Sequence, residues 1–131
     1  MKKSIACLLS LLVCISLLSA AGAKEEKSDD GKVKIGIAKI VQHVALDQIE
    51  QGVIDVITEA GIDATFDLQN ANGDVNTAAQ IANKYKNSKV DIAVGIATPV
   101  AVALANTIKD IPVVFGTVTD PIGAGLVSSL D

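Results

Sequence analysis

Between residues 33 and 118 the chain alternates short, β-branched apolar runs with longer segments whose apolar residues recur at helical spacing, joined by connections of a few residues. Few folds accept that pattern. A strand buried on both faces reads as an unbroken apolar run, and parallel strands need a crossover helix between them. Residues 33–41, 64–68, 91–97 and 111–118 read as strands. Leu46, Ile49, Val53, Val56, Ile57 and Ala60 line one face of a helix that Gly61 would stop. Asp74 is placed to cap a second helix carrying Val75, Ala78, Ala79, Ala82 and Tyr85 on one face. Thr98 and Pro99 open a third, with Thr98 as its expected cap and Pro99 at the first helical position. The expectation is an α/β fold: an open parallel sheet with helices on both faces.

The core must be aliphatic, because the chain's aromatic residues are Phe66, Tyr85 and Phe115 and it has no tryptophan. Every one of the eleven basic residues is lysine, and the formal net charge is −4. No basic stripe interleaved with aromatics exists, which argues against a nucleic-acid partner. An acidic balance gives no attraction to anionic lipid either.

The first residues read as an export signal. Lys2 and Lys3 precede an almost uninterrupted apolar stretch over residues 5–18, and Ala21, Gly22 and Ala23 supply the small residues of a cleavage site. The stretch is shorter than the roughly 20 residues that span a bilayer comfortably. Residues 1–23 are therefore expected to be removed, and residues 24–32, charged and without periodicity, to form a flexible tether. Cleavage would take Cys7 and Cys14 with it, leaving no thiol for a disulfide or a metal. The lipoprotein pattern, which would make the chain a lipid-anchored protein, is matched only poorly: Leu18, Ser19 and Ala20 are followed by Ala21 where a lipid-bearing cysteine would stand, and Val13 is large for the position before Cys14.

Ligands of open parallel sheets sit beyond the carboxyl ends of the strands. Polar residues gather there: Gln42 and His43 after the first strand, Gln69 and Asn70 after the second, Thr98 after the third, and Thr117, Thr119 and Asp120 after the fourth. A carboxylate at the Thr98 helix start would meet unpaired N–H groups and a partial positive charge. Each residue also has a plain structural reading. Thr98 caps, His43 bonds within its loop, Asp120 before a proline holds a turn, and Gln69 and Asn70 are polar strand-end residues. Enzyme signatures are missing: there is no phosphate-binding G-x-x-x-x-G-K-[ST], no dinucleotide fingerprint after the first strand, no H-E-x-x-H and no G-x-S-x-G. No catalytic residue, metal or cofactor is expected.

At these same loops the chain resembles the tryptophan/tyrosine-type ABC transporter substrate-binding family. The likeness is carried by residues 34–41 with His43, Val44, Ala45, Leu46 and Asp47; by Gln69, Asn70, Ala71, Asn72, Gly73 and Asp74; by Gly95, Ile96, Ala97, Thr98 and Pro99; and by Val118, Thr119, Asp120 and Pro121 with Gly123, Ala124, Gly125, Leu126 and Val127. It runs from about residue 33 to the end. Such resemblance implies a type I periplasmic binding protein-like fold of two α/β lobes closing on an amino acid or similar small solute, with aromatic amino acids among the candidates, outside the cytoplasmic membrane. It implies a permease and an ATPase as partners and no enzymatic activity. Thr98 and the Thr117 to Asp120 loop would hold the solute carboxylate, and the His43 loop would border the side-chain pocket. Members are much longer, so residues 33–131 correspond to part of the first lobe. The alternative reading is a truncated remnant, or half of a split protein that takes its second lobe from another chain.

Overall fold

The computed structural model describes residues 31–130. The expected signal peptide and most of the expected tether lie outside the described residues. The order is β1 (Val33–Lys39), α1 (Val44–Glu59), β2 (Ala64–Asn70), α2 (Val75–Ser88), β3 (Ile92–Ile96), α3 (Thr98–Thr107) and β4 (Val113–Gly116). The strands form one parallel sheet in the order β2-β1-β3-β4. The α/β architecture expected from the alternation is the one observed.

Strand alternation sorts the side chains onto two unlike faces. Ile35 and Ile37 of β1 and Val94 and Ile96 of β3 face α1 and pack against its Leu46, Ile49, Val53, Ile54 and Ile57. The opposite face of the same strands carries Gly36, Ala38, Ala93 and Gly95, all small. Two helices seat closely on it. α2 brings Ala78, Ile81, Ala82 and Tyr85, and α3 brings Val100 and Leu104. The absence of side-chain bulk under the helices is what allows the approach. A β-carbon on Gly36 would lie 2.7 Å from the Tyr85 ring, and one on Gly95 would lie 2.8 Å from the Ala101 α-carbon. Tyr85, with no exposed surface, fills the space over Gly36 and donates its hydroxyl to the Asp67 carbonyl at 2.8 Å. Burial, then the nearby Asp67 and Glu50 charges, push its phenol pKa well above the ordinary value. By contrast α1 has no fully buried residue, and its Val44 and Val56 are exposed.

Local signals explain the helix ends. Asp74 caps α2 as expected, its carboxylate accepting the Thr77 N–H at 2.7 Å, which lowers its pKa. Gly61, at φ 71°, ends α1 in a Schellman turn: Gly61 N–H donates to the Thr58 carbonyl and Ile62 N–H to that of Ile57. Other boundaries differ from expectation. β1 stops at Lys39 because Ile40 turns to pack on the α2/α3 core and Val41 emerges into solvent. β2 runs on through Gln69 and Asn70, which pair with Ala38 and Lys39. β4 is shorter than its apolar run, since Thr117 takes a left-handed conformation at φ 55°.

Candidate functional site

The chain leaves β1 toward one edge of the sheet and β3 toward the other, so the topological switch point lies between them. Backbone bonds reinforce the division. Ala71 N–H donates to the Lys39 carbonyl at 2.9 Å and Gly73 N–H to the Ile40 carbonyl at 2.6 Å, tying the loops after β1 and β2 together. On the other side Ala97 N–H donates to the Gly116 carbonyl at 3.0 Å, tying the ends of β3 and β4. In an open parallel sheet the crevice is expected between such pairs of loops, at the switch point.

The α3 side of the crevice departs from the sequence reading. Thr98 is the first helical residue and not the cap. Ala97 holds the cap position at φ 79° and ψ 151°, a region natural to glycine, and no side chain caps the helix. Thr98 is half-buried, and its hydroxyl makes no hydrogen bond to another described residue. The first N–H groups of α3, which have no intrahelical acceptor, therefore face the crevice mouth without a protein partner from the cap. Thr117 follows β4; its hydroxyl donates back to the Gly116 carbonyl at 2.7 Å. Thr119 and Asp120 lie in the exposed turn beyond, where Asp120 accepts the Gly123 N–H at 2.8 Å. Asp120 thus serves the turn.

On the β1 side, Gln42 is exposed and His43 caps α1, its Nδ1 accepting the Ala45 N–H at 3.2 Å. That bond fixes the proton of the neutral ring on Nε2, the nitrogen left for other contacts. Asn70 accepts the Asn72 N–H at 2.8 Å, and the Gln69 amide donates to Asp67. Gln42, Gln69 and Asn70 come together around a cavity of about 170 Å³, which Lys39, Glu50 and Leu68 complete.

The floor of that cavity was not foreseen. Lys39, the last residue of β1, is 8% exposed and donates to Asp47 Oδ1 at 2.6 Å and Glu50 Oε1 at 2.8 Å, both on α1. Burial pulls its ammonium pKa down, but the hydrogen bonds and charges of Asp47 and Glu50 outweigh that and hold it above the ordinary lysine value. Glu50 Oε2 is buried with no hydrogen-bond partner among the described residues. The available signal was a lysine inside an apolar strand followed by two acids three apart on the next helix, which places them on one helix face.

Residues 34–131 match the family described as ABC transporter substrate binding protein. The chain belongs to this family. It is 40% identical over 118 residues to a tyrosine-binding protein of Clostridioides difficile, covering 86% of the chain and 34% of that relative. Among solved structures, a conserved domain protein from Vibrio cholerae is 41% identical with a TM-score of 0.74, over 76% of this chain and 35% of that one. A substrate binding protein with adhesive properties from Clostridium difficile, in its ligand-free, open structure, is 39% identical with a TM-score of 0.73, again over 76% of this chain and 35% of that one. An ABC domain from Streptococcus pneumonia in complex with L-Trp is 41% identical with a TM-score of 0.69, over 73% of this chain and 33% of that one. The chain therefore spans about a third of the length of the relatives it matches, and the family is non-enzymatic.

Proposed function

We propose that the chain supplies one wall of a solute cleft in an extracytoplasmic substrate-binding protein, and that the solute is an aromatic amino acid delivered to an ABC permease and its ATPase for import. The observation that carries this is the bare start of α3 at the switch point. A cap position in a glycine-like conformation costs of order 1–3 kcal/mol and persists only where the surroundings over-determine it. Here it aims uncapped N–H groups, the Thr98 hydroxyl and a partial positive charge at the crevice, which suits a solute carboxylate. Thr117, tied in beside Thr98, and Thr119 and Asp120 in the following turn form the adjoining rim. Gln42 and His43 border the side-chain end, with Gln69 and Asn70 behind them. The aromatic class rests on the relatives, one called tyrosine-binding and one solved with L-Trp.

In this reading the second wall comes from a second lobe, in keeping with the share of its relatives that the chain spans. The export reading rests on the charged start, apolar run and small residues of residues 1–23. One wall encloses a small solute incompletely, so binding by this chain is weak and is best read by NMR. Titrating the isotope-labelled chain with L-tyrosine, L-tryptophan and L-phenylalanine should move the amides of Thr98 and Val100 first, and L-alanine should move them less. Thr98→Ala should weaken all three aromatic solutes alike and, since Thr98 is not the cap, leave the melting temperature nearly unchanged. Shifts absent from the α3 start, or a Thr98→Ala chain that binds like the wild type, would refute the carboxylate assignment.

A further inference from the structure

We infer that the cavity between the ends of β1 and β2 is a subsite for a hydroxyl group at the tip of the solute's side chain, read jointly by Glu50 and Lys39. This rests on the proposed aromatic amino-acid solute and goes beyond it by assigning which solute is preferred and by which residues.

Three observations converge. The first is an unmet acceptor: Glu50 Oε2 is buried without a partner among the described residues, although Glu50 lines the cavity. A buried acceptor left unpaired is costly, and a carboxylate oxygen more so. The second is a spare donor. The Lys39 ammonium has three N–H groups, and Asp47 Oδ1 and Glu50 Oε1 take two. Once the Glu50 carboxylate turns toward the cavity, its wall can present one acceptor and one donor, side by side on a common ion pair. A hydroxyl is the group that gives and accepts at once. A phenyl ring does neither, and an indole N–H only donates.

The third is placement. Thr98 follows β3, Asn70 ends β2, and β1 lies between them. Strands are spaced about 4.8 Å apart, so the α3 start and the cavity are offset by roughly 10 Å across the sheet. That is about the reach of an aromatic amino acid from carboxylate to ring tip. Leu68, 45% exposed, supplies an apolar wall for the ring, and the cavity of about 170 Å³ has room for the end of a phenol. Oε2 is closed off as the cavity stands. The last side-chain torsion of a glutamate is broad, so a partial turn can bring Oε2 toward an entering hydroxyl while Oε1 stays with Lys39.

The test compares L-tyrosine with L-phenylalanine and L-tryptophan by NMR titration of the chain, wild type and Glu50→Gln. In Glu50→Gln, Lys39 keeps the amide oxygen, which leaves an NH2 group where the free acceptor was. The wild type should bind tyrosine roughly tenfold or more tighter than phenylalanine, as for a hydrogen bond to a charged group. Glu50→Gln should bring that ratio close to one by weakening tyrosine alone. Glu50→Asp, which keeps the charge beside Lys39 but withdraws the oxygen, should do the same and serves if the amide variant folds poorly. A wild type that does not prefer tyrosine, or variants that keep the wild-type ratio, would overturn the subsite and leave the proposed function standing. Failure of all three amino acids to bind would overturn both.

Discussion

Replacing Gly95 with alanine should loosen α3 from the sheet. Gly95 is buried in the middle of β3, and its missing side chain is the space into which α3 fits. An added β-carbon would sit 2.8 Å from the Ala101 α-carbon, 3.0 Å from the Ala101 nitrogen and 3.1 Å from a Leu104 methyl. Two of those atoms are helix backbone and cannot swing away, so the whole helix must shift. Overpacking of this kind costs about 1–3 kcal/mol. Against it stands the reduced entropy of the unfolded chain, about 0.4–1 kcal/mol for Gly→Ala. The net is a loss of about 1–2 kcal/mol, or a melting temperature lower by roughly 4–16 °C for a domain of this size. Gly116 is the control: its β-carbon would meet only a methyl of Ile49, at the ordinary distance of 3.9 Å, so Gly116→Ala gains the entropy without the clash. Thermal and urea unfolding followed by circular dichroism would measure both. A Gly95→Ala chain as stable as the wild type, or a Gly116→Ala chain destabilised as much as Gly95→Ala, would refute the close-seating account.

Lys39→Met should lower stability by about 3 kcal/mol in urea unfolding, because it strands the mostly buried Glu50 carboxylate without its countercharge, and Lys39→Met with Glu50→Leu should recover part of that. Stability should fall as pH rises above about 10. Lys39 and Tyr85 both have folded pKa values raised above their ordinary values of 10.5 and 10.0, so in that range the folded state holds protons that the unfolded chain has lost. Tyr85→Phe should cost about 1 kcal/mol at neutral pH through loss of the bond to the Asp67 carbonyl, and should flatten the alkaline decline. Mass spectrometry of the exported chain should find Lys24 at its N-terminus; an intact Met1 in the cytoplasm would contradict export.

Much of the fold was legible because period and punctuation agreed. Asp74 and Gly61 mark helix ends in sequence and do so in space. Strand ends were harder, since an apolar residue need not stay in the ladder to be buried. Ile40 leaves β1 and still packs on the core, while Gln69 and Asn70 remain in β2 despite their polarity. The candidate site was legible as an edge of the sheet and less so as chemistry. Thr98 carried the conventional signature of a cap, yet Ala97 occupies the position, and nothing local to an alanine announces a glycine-like backbone. The Lys39 cluster depends on α1 lying across the end of β1, a relation between segments that no single stretch of sequence expresses.

The unequal seating of the helices bears on how the crevice can respond to a solute. α2 and α3 rest on glycine and alanine with their inner residues sealed, while α1 lies over the other face with none of its residues sealed and is fastened near its start by the Lys39 ion pairs. Opening free energies should be lowest along α1, whose amides should exchange with solvent before those of its neighbours. His43 sits at the head of that helix and Thr98 at the head of the well-seated α3. In the proposed reading, the jamb where an amino-acid carboxylate would dock is the firmly seated one, and the jamb that would face the variable side chain is the loosely seated one.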